Sequence, residues 1–202
     1  MVASNVVWIL LFAAGAGGAV STSPGDISVV SPSHAVTERP EPSMELPPAS
    51  APAVRGAVVD QPAVIRIPAI GVDAPMTPLG LEDDGALEAP RDFAVVGWYE
   101  DGPEPGEPGA TVVAGHVDSY DGPAVFYRLR ELVAGNEVRV VGADGVEAAY
   151  TVTRIEQYPK DAFPTGEVYA ASDRSTLRLV TCGGDFDEAE RSYEDNIVVY
   201  AE

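Results

Sequence analysis

The chain has 202 residues, enough for one ordinary domain with appendages. Its 32 acidic and 12 basic groups leave a formal charge of −20, which argues against nucleic acid as a partner and against docking on anionic lipid through a basic patch. One cysteine excludes an internal disulfide and zinc sites built on cysteine pairs. No D-x-[DN]-x-[DN]-G loop marks a calcium site, and Glu82-Asp83-Asp84 reads as a solvated turn.

Residues 1–20 form the first segment. From Asn5 to Val20 the chain is apolar after its first residue, and counting from Val2 brings the run to the ~20 residues that a spanning helix needs. It lacks a basic n-region, yet it reads as a signal peptide or an uncleaved membrane anchor, so the rest of the chain is expected to be exported. Residues 21–61 are dense in Pro, Ser, Ala and Glu and contain no aromatic residue. Such a stretch buries too little apolar surface to offset the entropy of ordering, and an extended tether is expected. His34 lies in it and is discounted for that reason.

Residues 62–202 are the expected catalytic domain. Residues 63–70 read as a strand broken by Pro68, hence an edge or bulged strand. Residues 72–88 are turn-rich. Residues 93–99 read as a second strand, 102–109 as a surface loop, and 111–116 as a third, buried strand. In 124–132 the apolar Val125, Phe126, Leu129 and Leu132 predict a short amphipathic helix. Residues 137–141 and 147–155 flank Asp144-Gly145, a hairpin signal. Residues 158–171 form a long loop with a helical turn, and 176–182 and 196–201 are the closing strands. About eight short strands with little helix imply a barrel or a sandwich.

The chemistry concentrates at Leu177-Arg178-Leu179-Val180-Thr181-Cys182-Gly183-Gly184. A buried strand runs into the single cysteine and is expected to stop at two glycines, whose missing Cβ atoms leave the sulfur approachable. A free thiol has a pKa of roughly 8.5, so a nucleophilic one needs a base or cation beside it. With His34 discounted, His116 in Val113-Ala114-Gly115-His116 is the remaining imidazole. It too ends a β-like run. The alternative is an inert core cysteine and a structural histidine.

Gly115-His116-Val117-Asp118-Ser119, Phe126-Tyr127-Arg128-Leu129, Leu177 to Gly184 and Asp195-Asn196-Ile197-Val198-Val199-Tyr200-Ala201 together resemble the sortases, most closely the actinobacterial class F group. Arg66-Ile67-Pro68-Ala69-Ile70-Gly71-Val72, Gly97-Trp98-Tyr99 and Tyr158-Pro159-Lys160 add to the likeness, which covers about residues 62–201. The resemblance implies an all-β fold, an eight-stranded sortase-type barrel with one or two short helices. It implies a monomer on the outer face of the cell membrane. The implied activity is that of a cysteine transpeptidase, which cleaves an LPXTG-type sorting signal between Thr and Gly through a thioacyl-enzyme. The acyl group then passes to an amine, from a peptidoglycan precursor or a pilin lysine. No metal or organic cofactor is implied.

By the same resemblance, Cys182 matches the nucleophile and His116 the general acid and base. Arg191, the one arginine after Cys182, matches the family arginine that stabilises the substrate carbonyl and oxyanion. Glu194, Asp195 and Asn196 stand closer to the last strand. Arg178 is the alternative, because side chains repeat every second residue along a strand and it shares a face with Cys182. Two other functions remain open on the residues alone. One is an exported cysteine peptidase with water as acceptor; the other is a non-catalytic tethered barrel that binds a wall polymer or peptide. An L,D-transpeptidase would hold His and Cys in one short S-H-G-C-like run, which this chain lacks.

Overall fold

The computed structural model describes residues 57–83 and 85–202. The anchor and most of the tether expected from the sequence lie outside the described residues.

Ten strands form, β1 (Pro62–Ile67), β2 (Val72–Leu79), β3 (Val96–Tyr99), β4 (Gly109–Ala114), β5 (Asp118–Ser119), β6 (Gly122–Pro123), β7 (Glu137–Gly142), β8 (Glu147–Pro159), β9 (Ser175–Asp187) and β10 (Ser192–Ala201). Eight of them close a barrel in the order β1-β2-β3-β4-β9-β10-β8-β7, and β5 and β6 pair separately. The eight-stranded barrel expected of the chain is therefore the fold. One α-turn, α1 (Thr165–Val168), and three 3-10 turns are the helical content of the described residues. Most pairings are antiparallel, but β2–β3 and β4–β9 run parallel.

Alternation of apolar side chains builds two layers. Ile65 and Ile67 of β1, Val138 and Val140 of β7, and Leu177 and Leu179 of β9 fill the barrel interior. Each such side chain contributes about 1.5–3 kcal/mol when fully buried. The intervening residues face outward. On three neighbouring strands those outward residues are also apolar: Val112 on β4, Val180 on β9, Val198 and Tyr200 on β10. Leu87 and Val168 cover them, with Phe163 and Tyr169 packed alongside. The long segment between β8 and β9 is thus pinned to the outside of the barrel wall.

Three local expectations change. Residues 124–132 are not an amphipathic α-helix. Phe126, Leu129 and Leu132 are buried as the spacing demanded, but through successive turns and one 3-10 turn, Leu129–Glu131. A three-residue period satisfies that pattern as well as 3.6 does. Residues 72–79, read as turn-rich, are a strand in spite of Pro75 and Pro78. β2 pairs with β1 over residues 72–75 and with β3 over 76–79, so each half needs hydrogen bonds on one side only. Finally, β9 does not stop at Cys182 but runs on through Gly183 and Gly184 into a long hairpin with β10.

Candidate active site

β4 and β9 carry the two reactive groups. Their parallel register pairs Ala114 with Val180, and Gly115 N–H donates to the Val180 carbonyl at 3.1 Å, which extends the ladder by one residue. One residue further along each strand stand His116 and Cys182. Neighbouring strands are about 4.8 Å apart, so groups distant in sequence emerge side by side. Val112 and Val180 point into the outer apolar layer, and strand alternation gives His116 and Cys182 that same outer face.

A cleft runs along this face to His116, walled by Leu87, Pro90, Ala114, Phe163, Tyr169 and Val180. A larger, open depression near Asp73, Asp92 and Arg128 contains neither Cys182 nor His116; the smaller one matters here because it touches the imidazole.

His116 is 7% exposed. Its Nε2 lies 2.7 Å from the Pro90 carbonyl oxygen. A carbonyl only accepts, so Nε2 carries the hydrogen, and Nδ1 is the nitrogen that can take up a proton. Phe93 leans on the ring with centroids 4.6 Å apart. The glycine before it is a packing requirement. A Cβ on Gly115 would sit 2.7 Å from the Phe126 ring, itself fully buried.

Cys182 is 6% exposed. Burial pushes its thiol up to about 12; the Lys160 ammonium pulls it down and the Asp118 carboxylate pushes it further up. The sulfur at rest is therefore a neutral thiol. Asp118, on β5 just past His116, accepts a hydrogen bond from the Tyr193 hydroxyl, tying that turn to β10. The two glycines after the cysteine serve the fold. A Cβ on Gly183 would meet Ile197 at 2.7 Å. Gly184 has φ +76°, a left-handed conformation that favours glycine, and a Cβ there would meet the Asp195 carboxylate at 2.4 Å. A bulge between Tyr193 and Asp195 accompanies it.

The arginines stand elsewhere. Arg191 occupies the turn of the β9–β10 hairpin, beyond the Asp187–Ser192 pair, with φ +52°. It lies five residues before Asn196, which pairs with Cys182, with the bulge between Tyr193 and Asp195 intervening. Arg178 lies four residues before Cys182, about 13 Å, with its guanidinium 4.6 Å from the Tyr200 ring centroid. The register sets His116 and Cys182 on adjacent strands, with Arg178 against Tyr200 and Arg191 in the hairpin turn.

Three residues that the sequence reading did not assign surround the sulfur: Lys160, Asp118 and Asn196. Asn196 pairs with Cys182 on one side and Tyr158 on the other, is fully buried, and has neither amide atom hydrogen-bonded among the described residues. Lys160 had one available signal, as the chain's single lysine.

A closed mixed barrel with a cysteine in one strand and a histidine just past the end of its parallel neighbour defines the class, a barrel carrying a Cys/His pair. The Sortase domain family model matches residues 65–202. The chain belongs to the sortase family of cysteine transpeptidases. Solved structures agree on the fold. The chain is 20% identical to Group B Streptococcus pilus island 1 sortase C2, covering 69% of this chain and 72% of that one, with a TM-score of 0.54. It is 21% identical to sortase C-1 from Actinomyces oris, over 71% and 74% of the two chains, with a TM-score of 0.54. It is 23% identical to a Clostridium perfringens sortase D5 transpeptidase, over 71% and 78%, with a TM-score of 0.52. No curated protein sequence matches it.

Proposed function

We propose that the chain is an exported transpeptidase of the class F type, held at the outer face of the membrane by its first 20 or so residues. It cleaves an LPXTG-type sorting signal between Thr and Gly and joins the Thr to an amine, from a peptidoglycan precursor or a pilin lysine. The observation that carries this is the placement of Cys182 within β9 and of His116 just past its parallel neighbour β4, with an apolar cleft on the barrel's outer face reaching His116. Leu87, Phe163, Tyr169 and Val180 offer that cleft apolar surface for the Leu and Pro of the signal.

The bonds exchange in two steps. The Cys182 S–H proton passes to Nδ1 of His116 as sulfur attacks the Thr carbonyl carbon. The tetrahedral oxyanion collapses, the C–N bond to Gly breaks, and His116 returns the proton to the leaving amine. The acceptor amine then attacks the thioester and gives up a proton to His116. A new amide forms, the C–S bond breaks, and the thiol is restored. A thiol held near 12 makes this transfer obligatory, since little thiolate is present beforehand.

The test is incubation of the full chain with an LPXTG peptide and a glycine-based amine, read by mass spectrometry. The expected product is the peptide ligated through Thr, with a covalent acyl adduct on Cys182. Cys182→Ala is expected to give neither, and turnover in that variant would remove the mechanism. Hydrolysed peptide with no ligated product would make the enzyme a peptidase.

A further inference from the structure

The chain has one cysteine and one lysine, and the barrel sets both on the same wall. Cys182, Asn196 and Tyr158 form one rung across β9, β10 and β8. Gly183, Asp195 and Pro159 form the next. Lys160 follows Pro159 directly and opens the 3-10 turn Lys160–Ala162. Tyr158 packs with the outer apolar layer, two residues before Lys160. The lysine is half-buried, and its ammonium donates to Ser192 Oγ of β10 at 2.7 Å.

Burial works against a lysine's charge. Here burial lowers Lys160 to about 8, while Cys182 and Asp195 act to keep it protonated. The influence is mutual, for Lys160 is the foremost group lowering the thiol and Asp118 opposes it. Asp195 is also engaged by Gln157 Nε2 at 2.5 Å, which fixes that carboxylate in place.

We propose that Lys160 is the site's cation, holding negative charge on the Cys182 sulfur when its proton leaves for His116. The proposal rests on Cys182 being the nucleophile and names the electrostatic partner of that same atom. Lys160 keeps its own proton and changes no bond. It acts through the sulfur from the β8 side.

The rate at which iodoacetamide alkylates the full chain, followed from pH 6 to 10, tests this directly. Alkylation follows the thiolate fraction. Lys160→Met is expected to slow alkylation at pH 7, where the ammonium is intact, by about tenfold, the equivalent of one pH unit. Lys160→Arg is expected to keep the parental profile. Should Lys160→Met unfold by circular dichroism, Lys160→Gln retains the stem and is expected to show the same shift. A folded Met or Gln variant with the parental profile overturns the proposal, as does a shift in Arg191→Ala with none in Lys160→Met. The readout needs no sorting peptide, so failure of the transpeptidase assignment and failure of the Lys160 assignment are separate results.

Discussion

At the scale of single residues, the buried thiol links chemistry to stability. Its folded pKa is raised toward 12 from an ordinary 9.0 by burial. The folded state therefore keeps a proton that the unfolded chain gives up. That contribution is whole below pH 9 and is lost as pH climbs toward 12. Lys160 works in the opposite sense. Its folded value near 8 lies under the ordinary 10.5, so stability grows between those values as the unfolded chain holds the extra proton. Urea midpoints of the parent and of Cys182→Ala, measured across pH 7 to 11, should separate these effects. The difference between the two proteins is expected to be flat up to about pH 9 and then to move against the parent. Parallel curves throughout would mean that the sulfur titrates alike in both states.

At the scale of elements, the site depends on how closely β4 can approach the turn that follows it. Phe126 N–H donates to the His116 carbonyl at 2.9 Å, and the Phe126 ring lies under Gly115. Gly115→Ala forces a methyl to within 2.7 Å of that ring and 3.0 Å of Val125. Neither neighbour is a flexible tip, so the expected cost is about 1–3 kcal/mol, read as a lower urea midpoint. An unchanged midpoint would show that the turn yields freely. The same contact carries the strain to His116 one residue on, where the hydrogen bond to Pro90 sets the ring's tautomer.

At the scale of the whole molecule, the barrel begins before its first strand. Val59 is fully buried in the core, and its N–H donates to the Pro105 carbonyl at 2.7 Å. Gly106 packs against the Ala57 carbonyl so closely that a Cβ would lie 2.0 Å from it. Residues 57–61, which composition groups with the tether, are part of the packing. A chain starting at Pro62 is expected to melt several degrees below one starting at Ala57, since losing one buried valine costs about 1.5–3 kcal/mol. Equal melting temperatures would place the folding boundary at β1.

Much of this was legible in the chain itself. Apolar, β-branched runs marked β4, β7, β9 and β10, and Asp144-Gly145 marked the hairpin between β7 and β8. A single cysteine and a single histidine outside the tether singled out Cys182 and His116 by arithmetic. These are local properties, set by a few neighbouring residues. What β4 lies beside is not local. Parallel pairing of β4 with β9, which sets sulfur and imidazole together, follows from closing eight strands into one barrel. The same closure lays β8 against β10 and puts Lys160 one residue past the rung of Gly183, Asp195 and Pro159. It also leaves Arg191 out at a hairpin tip, because β9 continues past its two glycines instead of ending there. Strand identity is written in short apolar, β-branched runs along the chain; strand neighbourhood is decided only when every edge has found a partner.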